Sequence, residues 1–134
     1  METKKMITPY FEDGKFTGVR VCIGDEDFVV APNDYIAQND YDKCNSMTWY
    51  YAMNVLKENR LETFNHKQAC LIAAYHKEIN EILIQNGGNA FDNYYWTCDE
   101  IEHQAYSYYA QGTVNIYVKL LVFKVRLIKN LKEY

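Results

Sequence analysis

An α+β domain is predicted from three observations. A hairpin pattern lies near the N-terminus, a helical periodicity runs through the middle, and period-two alternation fills the last third. Val19, Val21 and Ile23 alternate with polar or small residues, and Gly24-Asp25-Glu26-Asp27 turns the chain into Phe28-Val29-Val30-Ala31. Gly14 and Gly18 punctuate the approach to this hairpin. Pro32-Asn33-Asp34 ends its second strand and opens a polar surface loop through Asp42.

Trp49, Ala52, Met53 and Leu56 fall at i, i+3, i+4 and i+7, which predicts a helix from about Met47 to Asn59 capped by Asn45 or Ser46. A second helical stretch starts after Thr63 or Asn65, with Ala69, Ile72 and Ala73 on its buried side. It either breaks near His76 or continues through Ile79, Ile82 and Leu83, giving two to three helices. Asn86-Gly87-Gly88-Asn89 is a helix stop, because glycine enters the left-handed region without steric cost.

Strand-like sequence follows. Tyr94 to Thr97 is one piece, and Ala105 to Ala110 and Thr113 to Lys119 flank a hairpin turn at Gln111-Gly112. Phe123, Val125 and Leu127 alternate beyond it. Thr113 to Leu127 is expected to form adjacent antiparallel strands of a C-terminal sheet, with Val114, Ile116 and Val118 facing the helices near Trp49 and Ile82.

A chain of 134 residues fits a single domain spanning 1–134. The net charge of −4 argues against a general nucleic-acid partner. No apolar run approaches a bilayer span, so no membrane partner is expected, and the polar start carries no secretory pattern. Lys119, Lys124, Arg126, Lys129 and Lys132 crowd the C-terminal end and read as a solvated strand edge. The acidic run Asp25-Glu26-Asp27 offers a weaker idea, that opposite charges help copies of the chain associate. Cys22, Cys44, Cys70 and Cys98 are widely spaced and read as free thiols, Cys70 and Cys98 as small core hydrophobes.

His66, His76 and His103 show no metal-ligand spacing, and no glycine-rich phosphate loop precedes a helix, so no metal or cofactor is expected. Cys98, Asp99, Glu100, Glu102 and His103 form the one dense polar cluster. A small enzyme could draw a nucleophile and base from it, but a solvated loop is the preferred reading, so no catalytic residue is assigned.

Several landmarks occur in a recognisable order. They are Met47-Thr48-Trp49 with Ala52-Met53, Leu61-Glu62-Thr63, Ile79-Asn80-Glu81-Ile82-Leu83 with Gly87-Gly88, Tyr95-Trp96-Thr97-Cys98-Asp99-Glu100 with Ala105, and Val125-Arg126-Leu127-Ile128. Over about two thirds of the chain this set resembles the bacterial and phage C-type-lectin-like domain found at the C-terminus of collagen-like bacterial adhesins. Glu62 and Leu127 stand where that family usually has proline. The calcium-binding triplets of animal sugar-binding lectins are absent, so calcium-dependent sugar binding is not implied.

The resemblance implies a C-type-lectin-like fold with Trp49 and Trp96 in the core. Glu100 and Arg126 could lock the last strands as an ion pair. It also implies a non-catalytic binding or assembly module. The expected setting is a phage virion (capsid decoration, fibre or tail) or the bacterial cytoplasm, with capsid subunits or a homo-oligomer as partners. A bacterial adhesin-type module contacting a host protein or glycan is the alternative. Relatives display ligand-contacting residues on the later strands, which here points to Tyr106, Tyr108, Asn115 and Tyr117 as the contact surface.

Overall fold

The computed structural model describes residues 5–38, 43–44 and 46–131, with only the backbone at 38, 43 and 44. In chain order the elements are β1 (Lys5–Glu12), β2 (Lys15–Ile23), β3 (Glu26–Val30), β4 (Ala37–Gln38), β5 (Lys43–Cys44), α1 (Trp49–Glu58) and β6 (Glu62–Thr63). Then come α2 (His66–Ala74), α3 (His76–Gln85), β7 (Tyr94–Ile101), β8 (Gln104–Tyr109), β9 (Thr113–Val118) and β10 (Leu127–Asn130). Among the described residues the architecture is α+β, with three helices and two main antiparallel sheets.

The expected hairpin is β2–β3, turned by Gly24 and Asp25. A further strand, β1, pairs along the whole of β2 through a turn in which Asp13 and Gly14 both take positive φ, 51° and 80°. That is the backbone an Asp-Gly hairpin turn requires. Gly18 is also obligatory: its φ is 147°, and a Cβ would lie 2.1 Å from Val30 O.

Helix α1 begins after Thr48, whose side chain accepts from Tyr51 N; of the expected caps, Ser46 is passed over and Asn45 lies outside the described residues. Asn65 caps α2 in a reciprocal box with Gln68. The helical stretch breaks at Tyr75, and α3 ends at Gln85 before Gly87, whose φ is 85°. The expected polar loop is interrupted by the β4–β5 pairing, with Ala37 buried.

The two sheets run β1-β2-β3-β10-β6 and β7-β8-β9. The expectation that Thr113 to Leu127 forms adjacent strands therefore fails. After β9 the chain leaves its sheet, makes isolated bridges at Phe123 with Met47 and at Lys124 with Tyr95, and joins the other sheet as β10 between β3 and β6. Glu62 and Leu127, the two departures from proline, both lie in the β6–β10 pairing, where an amide N–H is available to the ladder.

One core lies where α2 and α3 cover both sheets: Val19, Val21, Phe28, Val30, Phe64, Ile72, Ile79, Leu83, Tyr95 and Tyr108 are all fully buried there. A second core forms on the opposite face of β7-β8-β9, around Trp49 and Trp96. Each indole donates to the backbone beside the other: Trp96 Nε1 to Met47 O at 2.8 Å, and Trp49 Nε1 to Thr97 O at 2.9 Å. Both tryptophans are core residues.

The C-terminal cations do not form a solvated edge. Lys119 and Arg126 are buried. Lys119 Nζ donates to Glu100 Oε1 at 2.9 Å and Glu102 O at 2.7 Å while lying over the Trp49 ring. The partner expected for Glu100 was Arg126, but Arg126 pairs with Asp34 instead, at 2.7 Å. Lys129 is exposed and reaches Glu12, and Lys132 lies outside the described residues. The acidic run near residue 25 is engaged within the chain, through Lys67 to Asp25 and Arg20 to Asp27.

Candidate functional site

The register of β7-β8-β9 decides which side chains share a surface. Tyr106 opposes Ile116 and Tyr108 opposes Val114, placing these four on the face covered by α2. Ser107 opposes Asn115 and Ala105 opposes Tyr117, so Asn115 and Tyr117 belong to the other face. The expected surface of Tyr106, Tyr108, Asn115 and Tyr117 is thus split between two faces.

Tyr108 is fully buried against Phe64 and Phe91, and its hydroxyl has no hydrogen-bond partner among the described residues. It is a core residue, not a contact residue. Tyr106 is half-buried and stacks on His66, with ring centroids 3.8 Å apart. Val114 packs on the core as expected, but Ile116 and Val118 are exposed.

Asn115 and Tyr117 instead join a set of aromatic rings that sequence reasoning did not assemble. Tyr94 stacks on Tyr109 at 4.2 Å and on Phe123 at 5.0 Å, and Tyr117 meets both Tyr94 and Phe123 edge-on at 5.5 and 5.3 Å. All four rings are half-buried, and exposed Thr113 and Asn115 stand beside them. A hydrogen bond with the Tyr117 side chain, together with slight desolvation, raises the Tyr94 hydroxyl above its ordinary pKa. The result is a rigid aromatic face edged with a hydroxyl and an amide.

Tyr95, the residue after Tyr94, points to the opposite face of β7, and a charged network gathers there, tied to the strand by the backbone bonds that Lys124 exchanges with the Tyr94–Trp96 segment. Lys124 Nζ lies 2.9 Å from Asp92 Oδ1 and 3.2 Å from Asp34 Oδ2. The Tyr95 hydroxyl, with one proton to donate, lies within hydrogen-bond distance of both carboxylates, 2.8 Å from Asp34 Oδ1 and 3.0 Å from Asp92 Oδ1. Arg126 donates to Asp34 through Nε and Nη2, and to the carbonyls of Ala31, Asn89 and Ala90. Beside the network opens a shallow recess of about 730 Å³ lined by Asn33, Asp34, Ile36, Asn89, Ala90 and Asp92.

Partial burial pushes the Asp92 pKa up, but hydrogen bonds from Lys124 and Tyr95 and the nearby cations outweigh it and hold Asp92 below its ordinary 3.8. A depressed carboxyl contributes stability that is complete above its unfolded pKa and is lost as pH falls through the folded value. Asp92→Asn is therefore expected to cost under about 1 kcal/mol at pH 7, the pair being partly exposed. The difference from the unmodified chain should vanish well below pH 3.8. Urea unfolding of both proteins across this range checks it.

The polar cluster after Trp96 is dispersed into structural tasks. Asp99 Oδ2 accepts from His66 N at 2.7 Å at the start of α2, where helix geometry favours an anion. Glu100 holds Lys119, and His103 is exposed. Cys98 is an exposed residue rather than a core one, yet desolvation of its thiol, aided by the Asp99 carboxylate, pushes its pKa up to about 11. Cys70 is exposed as well, because it projects from the outer side of α2. Cys22, Cys70 and Cys98 are free thiols, and the Cys44 side chain lies outside the described residues. Among the described residues no three His, Cys, Asp or Glu side chains converge for a metal, and no helix is long and apolar enough to cross a membrane.

Comparison with protein-family models, curated proteins and solved structures finds no match for this chain.

Proposed function

We propose that the chain is a non-catalytic binding or assembly module of C-type-lectin-like design, and that its contact surface is the aromatic face of Tyr94, Tyr109, Tyr117 and Phe123 with Thr113 and Asn115. The observation that carries this reading is that four rings in mutual contact stay half-exposed beside an amide and a hydroxyl. Rings held in mutual contact lose little entropy on binding, so contact area is gained at low cost. The antiparallel pairing of β3 with β10, which joins an early strand to a late one, also suits the lectin-like design.

A phage virion protein making a fixed contact with capsid, fibre or tail subunits is the setting the resemblance suggests. The alternative, a glycan-contacting adhesin-type module, draws support from the recess beside the charged network. Its Asn33, Asn89 and Asp92 side chains bring amide and carboxylate groups to one open recess, the chemistry that sugar hydroxyls bond to.

The discriminating experiment compares the unmodified chain with one triple variant. Because Asp99 and Glu100 hold His66 N and the buried Lys119, thermal melts first show whether the variant replaced at Asp99, Glu100 and His103 is folded, and the folded variant is expected to leave ligand binding intact. Loss of a measurable turnover in that triple variant, with binding preserved, would make the domain an enzyme.

A further inference from the structure

The second sheet ends on β9, and among the described residues no strand pairs with its outer side. Lys119 N donates to His103 O at 3.0 Å at the end of the β8–β9 ladder. Antiparallel alternation then turns the backbone groups of Thr113, Asn115 and Tyr117 towards β8, and those of Val114 and Ile116 outwards. Exposed edges are ordinarily blunted by charge, proline or a bulge. Thr113–Val118 (TVNIYV) carries no charge and no proline, and its register runs without a shift. The neighbouring side chains are apolar and open: Ile116 and Val118 on the strand, then Leu120, Leu121 and Val122 in the following turn, Leu120 being 72% exposed.

We propose that β9 is a self-association edge, on which a second copy of this chain docks antiparallel about a two-fold axis at Ile116. This inference goes beyond the aromatic contact face and does not depend on it. The choice of a second copy rests on self-complementarity. A two-fold axis sets each central residue against itself, so charge there would repel, and this strand has none. Centring on Ile116 places it against its own copy and Val114 against the partner's Val118. Every row on that face is then apolar on apolar, and outward backbone groups meet outward backbone groups.

The same geometry carries the Leu120-Leu121-Val122 turn towards the far end of the partner's β9. There the α2–α3 corner lies close enough to Gly112 that a Cβ would strike the His76 ring at 2.7 Å. That corner has an open recess of about 370 Å³ lined by Ala74, Tyr75, His76, Lys77 and Glu78. Charge is complementary along the contact. The β7–β8 turn presents exposed Glu102, and the corner it approaches presents exposed Lys77, while Glu78 is engaged by Lys5 at 3.4 Å. A foreign partner would need no such match between the two ends of one strand.

Sedimentation equilibrium over a wide concentration range tests this, with thermal melts to show that each variant is folded. The unmodified chain is expected to form a dimer. Ile116→Lys, which sets two ammonium groups at the axis, is expected to weaken it by roughly thirtyfold or more. Leu120→Glu, in an exposed turn that no core packing depends on, is expected to weaken it similarly. Glu102→Lys should weaken the dimer, and adding Lys77→Glu should restore it. A chain that is monomeric at every concentration, or a dimer indifferent to Ile116→Lys and Leu120→Glu, overturns the proposal.

Discussion

Arg126→Ala is expected to destabilise the domain by about 3–5 kcal/mol, since removing one partner of a buried ion pair leaves the other uncompensated. The guanidinium is fully buried, and its donors serve Asp34 and the carbonyls of Ala31, Asn89 and Ala90. It also lies 4.4 Å from the Phe91 ring centroid. Truncation strands these acceptors in a site where water does not readily replace the lost bonds. Arg126→Lys should recover little, because an ammonium has three donors and no planar fork to span so many acceptors. Guanidinium chloride midpoints of the three proteins give the comparison. A loss under about 1 kcal/mol for Arg126→Ala would mean that water replaces the side chain and that the network is not structural.

Trp96→Ala is expected to cost a similar amount, about 3–5 kcal/mol. Its ring is fully buried among Met47, Trp49, Ala105 and Val125, and meets Phe123 at a tilt with centroids 4.5 Å apart. The change opens a cavity beneath the aromatic face and also leaves Met47 O without its indole donor. Both effects act where α1 meets β7, so near-ultraviolet circular dichroism should lose its signal together with stability. A typical domain has only about 5–15 kcal/mol in total, so either substitution removes a large share of the folded population's margin.

The sequence made the periodic elements readable. The β2–β3 alternation, the Trp49 to Leu56 spacing, the Asn65 cap and the glycine stop after α3 each map onto the structure. Asp13-Gly14 was a readable hairpin signal for β1, masked by the polar residues and Pro9 around it.

The contact surface was harder for a physical reason. Period-two alternation shows that neighbours face opposite ways but not which way is in, and β7-β8-β9 is packed on both faces. Of the adjacent pairs Tyr94-Tyr95 and Tyr108-Tyr109, one ring each is buried and one half-exposed, and only the register tells them apart. Arg126 and Lys119 were misread because a cation's burial depends on partners far away in sequence. Asp34 lies 92 residues from Arg126, and no local pattern announces that pairing.

The aromatic face is proposed to carry the contact. The most direct test of that role is equilibrium binding of the immobilised domain to an oligosaccharide panel and to phage and bacterial surface proteins. The unmodified chain is compared with Tyr109→Ala, Asn115→Ala and, as a control on exposed α3, Ile84→Ala. The unmodified chain and Ile84→Ala are expected to retain the same ligand. Tyr109→Ala or Asn115→Ala should lose about 2 kcal/mol or more of binding. The Asn115→Ala fold should change by no more than roughly 0.5 kcal/mol. Retention of the ligand by all four proteins alike, or by none, would contradict the proposed contact.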